Sequence, residues 1–485
     1  MTTAVLHIRD EVNVKIEGLD LTTRKNLVNK FKFEIPYARY LPAVRLGRWD
    51  GKVSFFQLGG STFVNLLPEI IPELESAGYD LELNDLRDYR TSFDFDEVDE
   101  DSYADKTWPK GHPAAGQPIK LRDYQIETIN NFLRNPQCLQ EIATGAGKTL
   151  MTAVLSHKCQ EYGRTVVIVP NKSLVTQTEE DYINMGMDVG VFYGDRKEYD
   201  KTHTICTWQS LNSLLKRTKN AEVDIGIGEF LEGVVCVMVD EVHQAKADAL
   251  KTLLTGVMSH IPIRWGLTGT IPKEEFEFMS LRCSLGEVIN RISASELQDK
   301  GVLASCHVNI LQLEEHTEYS NYQSEQKYLL DNSDRMDYIA SLTENIRASG
   351  NTLVLVDRIS AGEHLTSRIR DAVFVRGATK ATERKEHYDE VAESTDKVIV
   401  ATYGVAAVGI NIPRIFNLVL IEPGKSFVRV IQSIGRGIRK AQDKDFVQIW
   451  DITSTCKFSK RHLTKRKQFY KEANYPFELE KLKWQ

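Results

Sequence analysis

The sequence predicts an α/β protein: two parallel-sheet domains preceded by a small α+β domain. Three observations lead there. Apolar strand-like runs alternate with helical segments twice over, from about residue 119 to 300 and again from 301 to 455. A glycine-rich turn, Thr144-Gly145-Ala146-Gly147-Lys148-Thr149, opens a helical stretch, as a phosphate-binding loop does. An acidic stretch followed by Pro and Gly sets these regions apart from an N-terminal unit with its own strands and helices.

In chain order, residues 1–93 read as the small domain. Val5–Ile8 and Val12–Ile16 alternate as strands, Thr23–Phe31 is helical, Val53–Phe56 is a further strand, and Pro68–Gly78 is a second helix. Within it, Arg45, Arg48 and Lys52 surround Trp49 in one loop. Basic and aromatic residues interleaved suit contact with a DNA backbone plus stacking on bases. The same residues also describe a hairpin anchored by a packed Trp49 and turned by Asp50-Gly51. Residues 94–118 carry the composition of a linker.

Residues 119–300 give the first α/β domain, with strands at Thr165–Pro170, Thr204–Trp208, Val234–Val239 and Arg264–Thr268. Residues 301–455 give the second, with strands at Thr352–Val356, Lys397–Ala401, Asn417–Ile421 and Phe446–Trp450. Residues 456–485 form a basic C-terminal segment. Between Cys456 and Lys471 lie seven basic side chains, among them Lys465, Arg466 and Lys467, and no acidic one. Such a run is either a solvated helix face or a phosphate-contacting surface.

Composition limits the class. With 42% hydrophobic and 27% charged residues, the 485-residue chain reads as soluble and globular. No apolar run reaches membrane-spanning length, and the N-terminus is unlike a signal peptide. The seven cysteines are scattered without C-x-x-C pairs, which argues against a zinc or iron–sulfur site and fits a reducing, cytoplasmic setting. The formal charge of −7 equals the contribution of Asp94–Asp105, so the rest of the chain is balanced. The net charge therefore does not exclude a nucleic-acid partner.

The chemistry rests on two segments. Gly145 and Gly147 allow a tight turn whose N–H groups point at phosphate, with Thr144 and Ala146 completing the loop. Lys148 can reach the β and γ phosphates, and the Thr149 hydroxyl can ligate Mg²⁺. Ile142 stands where the usual pattern has its first Gly. The second segment is the apolar run Val234–Val239, which reads as a strand buried on both faces and ends in Asp240 and Glu241. Asp240 can hold Mg²⁺ and Glu241 can polarise an attacking water. Together the segments imply hydrolysis of a nucleoside triphosphate.

Four further motifs accompany them. Arg122 and Gln125 lie upstream of Lys148, and Gln125 has the donor and acceptor that an adenine edge needs. Thr268 and Thr270 close a strand with two hydroxyls, either a simple turn or an element of coupling between domains. Tyr403–Pro413 carries Gly409 and Asn411 after a strand, allowing close backbone approach to phosphate or DNA. On a helix, Gln432, Arg436 and Arg439 share one face. No acidic residue between Ser426 and Lys440 offers those arginines a salt bridge, which leaves them suited to stabilising phosphoryl charge.

In order, the motifs are Arg-x-Tyr-Gln, Ala-Thr-Gly-x-Gly-Lys-Thr, Asp-Glu-x-His, Thr-Gly-Thr, Gly-Ile-Asn and Gln-x-x-Gly-Arg-x-x-Arg. The set, over about residues 119–455, resembles the superfamily-two DExH helicases and translocases. The resemblance implies two RecA-like domains with ATP between them and nucleic acid across their tops. It assigns Lys148, Thr149, Asp240 and Glu241 to hydrolysis, with Arg436 and Arg439 acting from the facing domain. Arg122, Gln125, Gly409 and Asn411 would hold nucleotide, though many relatives have Asp where Asn411 stands. His243, Thr268, Thr270 and Gln432 would couple hydrolysis to nucleic acid.

The Arg45–Lys52 loop and its place in the domain order are similar to the UvsW-type helicases of tailed phages. That likeness implies a monomeric DNA-dependent ATPase, using ATP and Mg²⁺, that regresses forks and migrates junctions in a host cytoplasm. Other expectations stay open: a motor on RNA, a restriction motor (although no P-D…E-x-K nuclease signature is seen), or a nucleotide-switched DNA clamp.

Overall fold

The computed structural model describes residues 2–87, 92–109, 114–143, 145–170, 172–222, 225–241, 247–302, 305–406, 414–424, 446–472 and 475–484. By contact the chain divides into two units. The first is Met1–Lys106 with Pro118–Ile142 and Lys148–Arg291, and the second is Thr107–Gln117 with Ala143–Gly147 and Ile292–Gln485.

The N-terminal domain is a four-stranded sheet with the helices Leu21–Lys30, Pro42–Arg45 and Leu67–Ser76. Its strands are β1 (Thr2–Ile8), β2 (Asn13–Glu17), β5 (Ser61–Phe63) and β6 (Tyr79–Asp85), in the order β5-β2-β1-β6. The first three are antiparallel neighbours, and β6 returns parallel to β1 after the helix Leu67–Ser76. A separate ribbon pairs β3 (Lys32–Glu34) with β4 (Lys52–Ser54). Alternation along β1 and β2 buries Ala4, Leu6, Ile8, Val14 and Ile16.

This small core is not self-contained. Phe276, Met279 and Cys283 of the helix Glu275–Leu285 are buried within it. Phe276 lies 5.8 Å from the Phe55 ring, and the Lys251 ammonium sits 4.2 Å over the same ring. Polar contacts complete the joint: Asn13 Nδ2 donates to Thr255 O (2.9 Å), and Asn65 Nδ2 donates to Arg282 O (3.0 Å). The N-terminal domain and the first α/β domain thus share one hydrophobic core.

The stretch after residue 93 has a linker's composition, but through Lys106 it runs as a fastened strap. Phe93 and Phe95 pack edge-on against Tyr162, at 5.2 and 5.3 Å. Val98 is buried, and its N–H and C=O both bond to the Asn130 side chain. Buried Tyr103 hydrogen-bonds His157 across 3.0 Å. The acidic side chains face outward from these anchors, Glu97 pairing with Arg134 and Glu100 with Lys120.

The first α/β sheet contains β7 (Gln137–Ile142), β8 (Arg164–Val169), β9 (Val189–Tyr193), β10 (Arg196–Lys197), β11 (His203–Thr207), β12 (Val234–Asp240), β13 (Ile263–Thr268) and β14 (Val288–Ile292). Their order is β10-β9-β11-β8-β12-β13-β7-β14. The pairs from β9 to β7 are parallel, so the strand ends carrying ligand groups share one edge. The four strands read from the sequence in this domain are β8, β11, β12 and β13, each within a residue or two.

The second sheet contains β15 (Ser305–Leu313), β16 (Thr352–Val356), β17 (Val373–Val375), β18 (Val398–Thr402), β19 (Asn417–Ile421), β20 (Phe446–Ser454) and β21 (Phe477–Leu482). It is parallel throughout, in the order β17-β18-β16-β19-β20-β15-β21. The basic C-terminal segment belongs to this sheet. Its helix Lys457–Glu472 follows β20, and β21 then pairs with β15 at the sheet's edge.

Among the described residues, no helix is long and apolar enough to cross a membrane.

Candidate nucleotide and nucleic-acid sites

Register alone brings three motifs together. Across β12, β13 and β7, Asp240 aligns with Leu267, and Leu267 with Gln140. Asp240, Thr268 and Ile142 therefore end three adjacent strands at nearly one level. The chain leaves β7 through a turn with Gly145 at φ 91° and Gly147 at φ 83°, a backbone that L side chains rarely adopt. It enters the helix Lys148–Cys159 at once. Ile142 occupies the first Gly position of the usual pattern because here that position is still strand, with its side chain fully buried.

Lys148 is buried, and its Nζ donates to Glu241 Oε1 at 2.6 Å and to Ile142 O at 3.3 Å. Thr149 follows, half-buried, in the first helical turn. Asp240 closes β12, and its Oδ1 accepts the Glu241 N–H at 2.9 Å. Burial pushes the Asp240 carboxyl up to about 7, opposed by the Lys148 charge and reinforced by that of Glu241. Glu241 has φ 52°, a left-handed conformation that costs a non-glycine residue of order 1–3 kcal/mol. That turn carries the Glu241 carboxylate to Lys148.

Gln125 and Arg122 stand at the start of the helix Asp123–Arg134. The Gln125 Oε1 accepts the Arg122 N–H at 3.0 Å, which caps the helix and fixes the amide. Thr268 and Thr270 close on each other: the Thr268 hydroxyl donates to Thr270 O (2.9 Å) and accepts the Thr270 N–H (3.3 Å). Thr144, His243, Gly409, Asn411, Gln432, Arg436 and Arg439 lie outside the described residues.

The donor set fits ATP with Mg²⁺. A buried carboxylate and a hydroxyl are hard oxygen ligands, and Mg²⁺ is usually held by one or two carboxylates together with substrate phosphates. Among the described residues, no cluster of His, Cys, Asp and Glu forms an all-protein metal cage.

The expected nucleic-acid contacts divide. Arg45, Arg48 and Lys52 are exposed. Trp49 instead packs against the N-terminal core, and its Nε1–H is spent on Lys52 O at 3.0 Å. It is the anchor of the loop, and its edge is not available for base recognition. Of the C-terminal trio, Lys465 is exposed and Lys467 half-buried. Arg466 must be withdrawn: it is buried, chelates Asp451 at 2.8 and 2.9 Å, and donates to Pro423 O at 2.7 Å.

Sequence reasoning missed the richest part of the N-terminal surface. Between β3 and β4 the chain exposes Tyr37 (46%), Tyr40 (59%), Leu41 (36%) and Leu46 (65%) beside Arg45 and Arg48. The Arg39 guanidinium lies 4.8 Å over the Tyr40 ring. The signal was available, since Ile35–Trp49 contains no acidic residue and three arginines. Reading only Arg45–Lys52 cut the window short.

Residues 118–273 match the model of the type III restriction enzyme res subunit, and residues 334–441 match the helicase conserved C-terminal domain. The chain is 24% identical to the ATP-dependent DNA helicase uvsW of Enterobacteria phage T4, across 97% of this chain and 94% of that one. It is 23% identical to the DNA 3'-5' helicase XPB of Kineococcus radiotolerans, across 74% of this chain and 64% of that one. The fold is similar to that of the ATP-dependent type ISP restriction-modification enzyme LlaBIII bound to DNA (TM-score 0.56, 16% identity, 86% of this chain and 36% of that one). It is also similar to that of Dbp5 of S. cerevisiae bound to RNA and ADP BeF3 (TM-score 0.54, 15% identity, 76% and 90%). With the phosphate loop, the Asp240-Glu241 strand end and the two parallel-sheet domains in place, the chain is a superfamily-two DExH helicase, an ATP-hydrolysing motor that resembles the UvsW-type enzymes.

Proposed function

We propose that this motor acts on DNA, remodelling branched molecules by fork regression, junction migration, unwinding and annealing. The observation that carries this reading is the exposed Tyr37–Arg48 surface, built on a domain that shares its core with the first α/β domain. A motor that only walks needs no second hold. One that moves a junction must grip one arm while pulling another. Arginines flanking exposed tyrosines supply phosphate contact and stacking at one place. The phage T4 relative is named an ATP-dependent DNA helicase, which supports DNA as the substrate.

The chemistry follows from the strand ends. In this proposal the Gly145–Gly147 turn cradles the phosphates, and Lys148 exchanges its carboxylate partner for the β/γ phosphates. Glu241, released from Lys148, then takes a proton from the attacking water. Mg²⁺, held by Asp240 and the Thr149 hydroxyl, would supply charge neutralisation on the phosphates. Gln125 recognises adenine, Thr268 and Thr270 couple the domains, and Arg436 and Arg439 stabilise the transferring phosphoryl group. The intact Lys148–Glu241 pair disfavours a clamp without turnover.

The test substitutes the exposed surface and leaves the domain in place, because removing residues 1–93 would strip the cover from Phe276, Met279 and Cys283. A Tyr37→Ala/Tyr40→Ala/Arg45→Gln/Arg48→Gln variant should lose four-way-junction unwinding relative to ATP hydrolysis. An unchanged ratio would make the surface a partner dock and remove the case for branched DNA. The similarity of fold to proteins bound to DNA and to RNA makes stimulation by single-stranded, forked and four-way DNA, with RNA alongside, the companion measurement.

A further inference from the structure

The helix Lys457–Glu472 has two faces of opposite character. Ser459, His462, Leu463, Arg466, Phe469 and Tyr470 turn inward and are buried. Lys457, Lys460, Arg461, Lys465 and Lys471 are exposed, and none of the described ion pairs uses them. Rising 1.5 Å per residue, the row from Lys457 to Lys471 spans about 21 Å.

The inward face is fastened by charge. Glu325 of the helix Tyr322–Asp331 accepts the N–H groups of Ser459 (2.8 Å) and Phe458 (3.1 Å). Ser459 donates to Glu422, which also receives Arg335 at 2.7 Å. Arg466 and the Tyr470 hydroxyl (2.7 Å) converge on Asp451, which is fully buried. The second domain thus spends nearby carboxylates inside, on the helix N-terminus and on buried arginines, and among the described residues no carboxylate pairs with the outer cations.

That arrangement is unfavourable by itself. Lys457–Arg461, Arg461–Lys465 and Lys467–Lys471 are like-charge pairs four residues apart, each costing a few tenths of a kcal/mol. Because Glu325 already caps the helix N-terminus, an anion would meet side chains and not the exposed end of the helix dipole. The Arg461 guanidinium lies 5.6 Å from the Phe458 ring and the Lys457 ammonium 5.9 Å, so both heads are steered to one patch.

We propose that this outer face is a phosphodiester-binding surface of the second α/β domain, contacting the backbone of one nucleic-acid strand through Lys457, Lys460, Arg461, Lys465 and Lys471. It rests on the DNA reading above. Phosphates recur about every 3.4 Å of axis along one strand, so the row is long enough for about six. A contact of this kind positions the strand and reads no sequence.

The experiment compares the full-length protein with Lys457→Gln/Lys460→Gln/Arg461→Gln and with the charge-conserving Lys457→Arg/Lys460→Arg/Arg461→Lys. Binding of a single-stranded oligonucleotide is measured against salt. Loss of three contacts should flatten the slope of log affinity against log salt by about 2 to 3, while the charge-conserving variant keeps the wild-type slope. A wild-type slope in the Gln variant overturns the proposal. So does equal flattening in both variants, or tighter binding of polyglutamate than of the oligonucleotide, which would make the face a dock for acidic chains. Wild-type protein whose ATPase ignores DNA would instead sink the DNA reading itself, so the two failures are separable.

Discussion

The ammonium of Lys148 lies 2.6 Å from Oε1 of Glu241, a residue 93 positions away in sequence. The first residue of the helix that follows β7 and the residue just past the end of β12 thus hold each other through one ion pair, from strands separated only by β13.

Breaking that pair from either side should give different phenotypes. Lys148→Ala should abolish turnover and weaken nucleotide binding, having removed the phosphate contact. Glu241→Gln should bind a fluorescent ATP analogue with nearly wild-type affinity while hydrolysis falls by two orders of magnitude or more. Steady-state ATPase and equilibrium titration on both variants check this, and wild-type turnover in either would remove these residues from the mechanism.

If Asp240 holds Mg²⁺ as proposed, magnesium use should depend on pH. Its folded-state pKa is raised by burial, so in the absence of metal its contribution to stability falls as pH rises from the ordinary carboxylate range to about 7. Binding Mg²⁺ requires the deprotonated form. The Mg²⁺ concentration for half-maximal hydrolysis should therefore rise as pH falls from 8 to 6. A half-saturation point constant across that range, in a Mg²⁺ titration of the ATPase, would contradict the assignment.

Trp49 and Tyr40 should part company although both are aromatic residues between β3 and β4. Trp49→Ala removes a packed ring and should lower the melting temperature by several degrees. Tyr40→Ala, with the ring 59% exposed, should leave melting unchanged and weaken DNA binding. Calorimetry and fluorescence anisotropy on the two variants decide it.

The Arg466–Asp451 pair predicts a purely structural defect. Asp451→Asn leaves a buried guanidinium without its charge partner and should destabilise the second domain by about 3–5 kcal/mol. Denaturant unfolding followed by probes in each domain tests this; an unshifted transition for the second domain would contradict it.

Legibility in the sequence followed burial type. Strands buried on both faces, such as Val234–Asp240 and Asn417–Ile421, are legible as apolar runs, and Asp240 closes the first of them. β7 did not show, because Gln140 sits fully buried in mid-strand, satisfied by Thr128 O and Asn290. β21 alternates as Phe-Glu-Leu-Glu-Lys-Leu and passed for a charged tail. The acidic strap hid its anchors by averaging: Phe93, Phe95, Val98 and Tyr103 are sparse among carboxylates, yet they are what fastens it. Arg466 has the composition of its neighbours, and only helical phase, with Leu463 and Tyr470 on its face, separates it from them. The core shared by two domains left no trace, since Phe276 and Met279 read as ordinary interior residues of their own helix.

That shared core has a consequence for observing the motor at work. Tyr40 and Lys148 stand in regions joined through Phe276, Met279 and Cys283, so the separation between their backbones should be constant throughout turnover. A donor and acceptor dye placed near those two positions would make a built-in ruler of fixed length. Any change in their energy transfer would report dye photophysics or local melting, against which genuine movement of a third label could be calibrated.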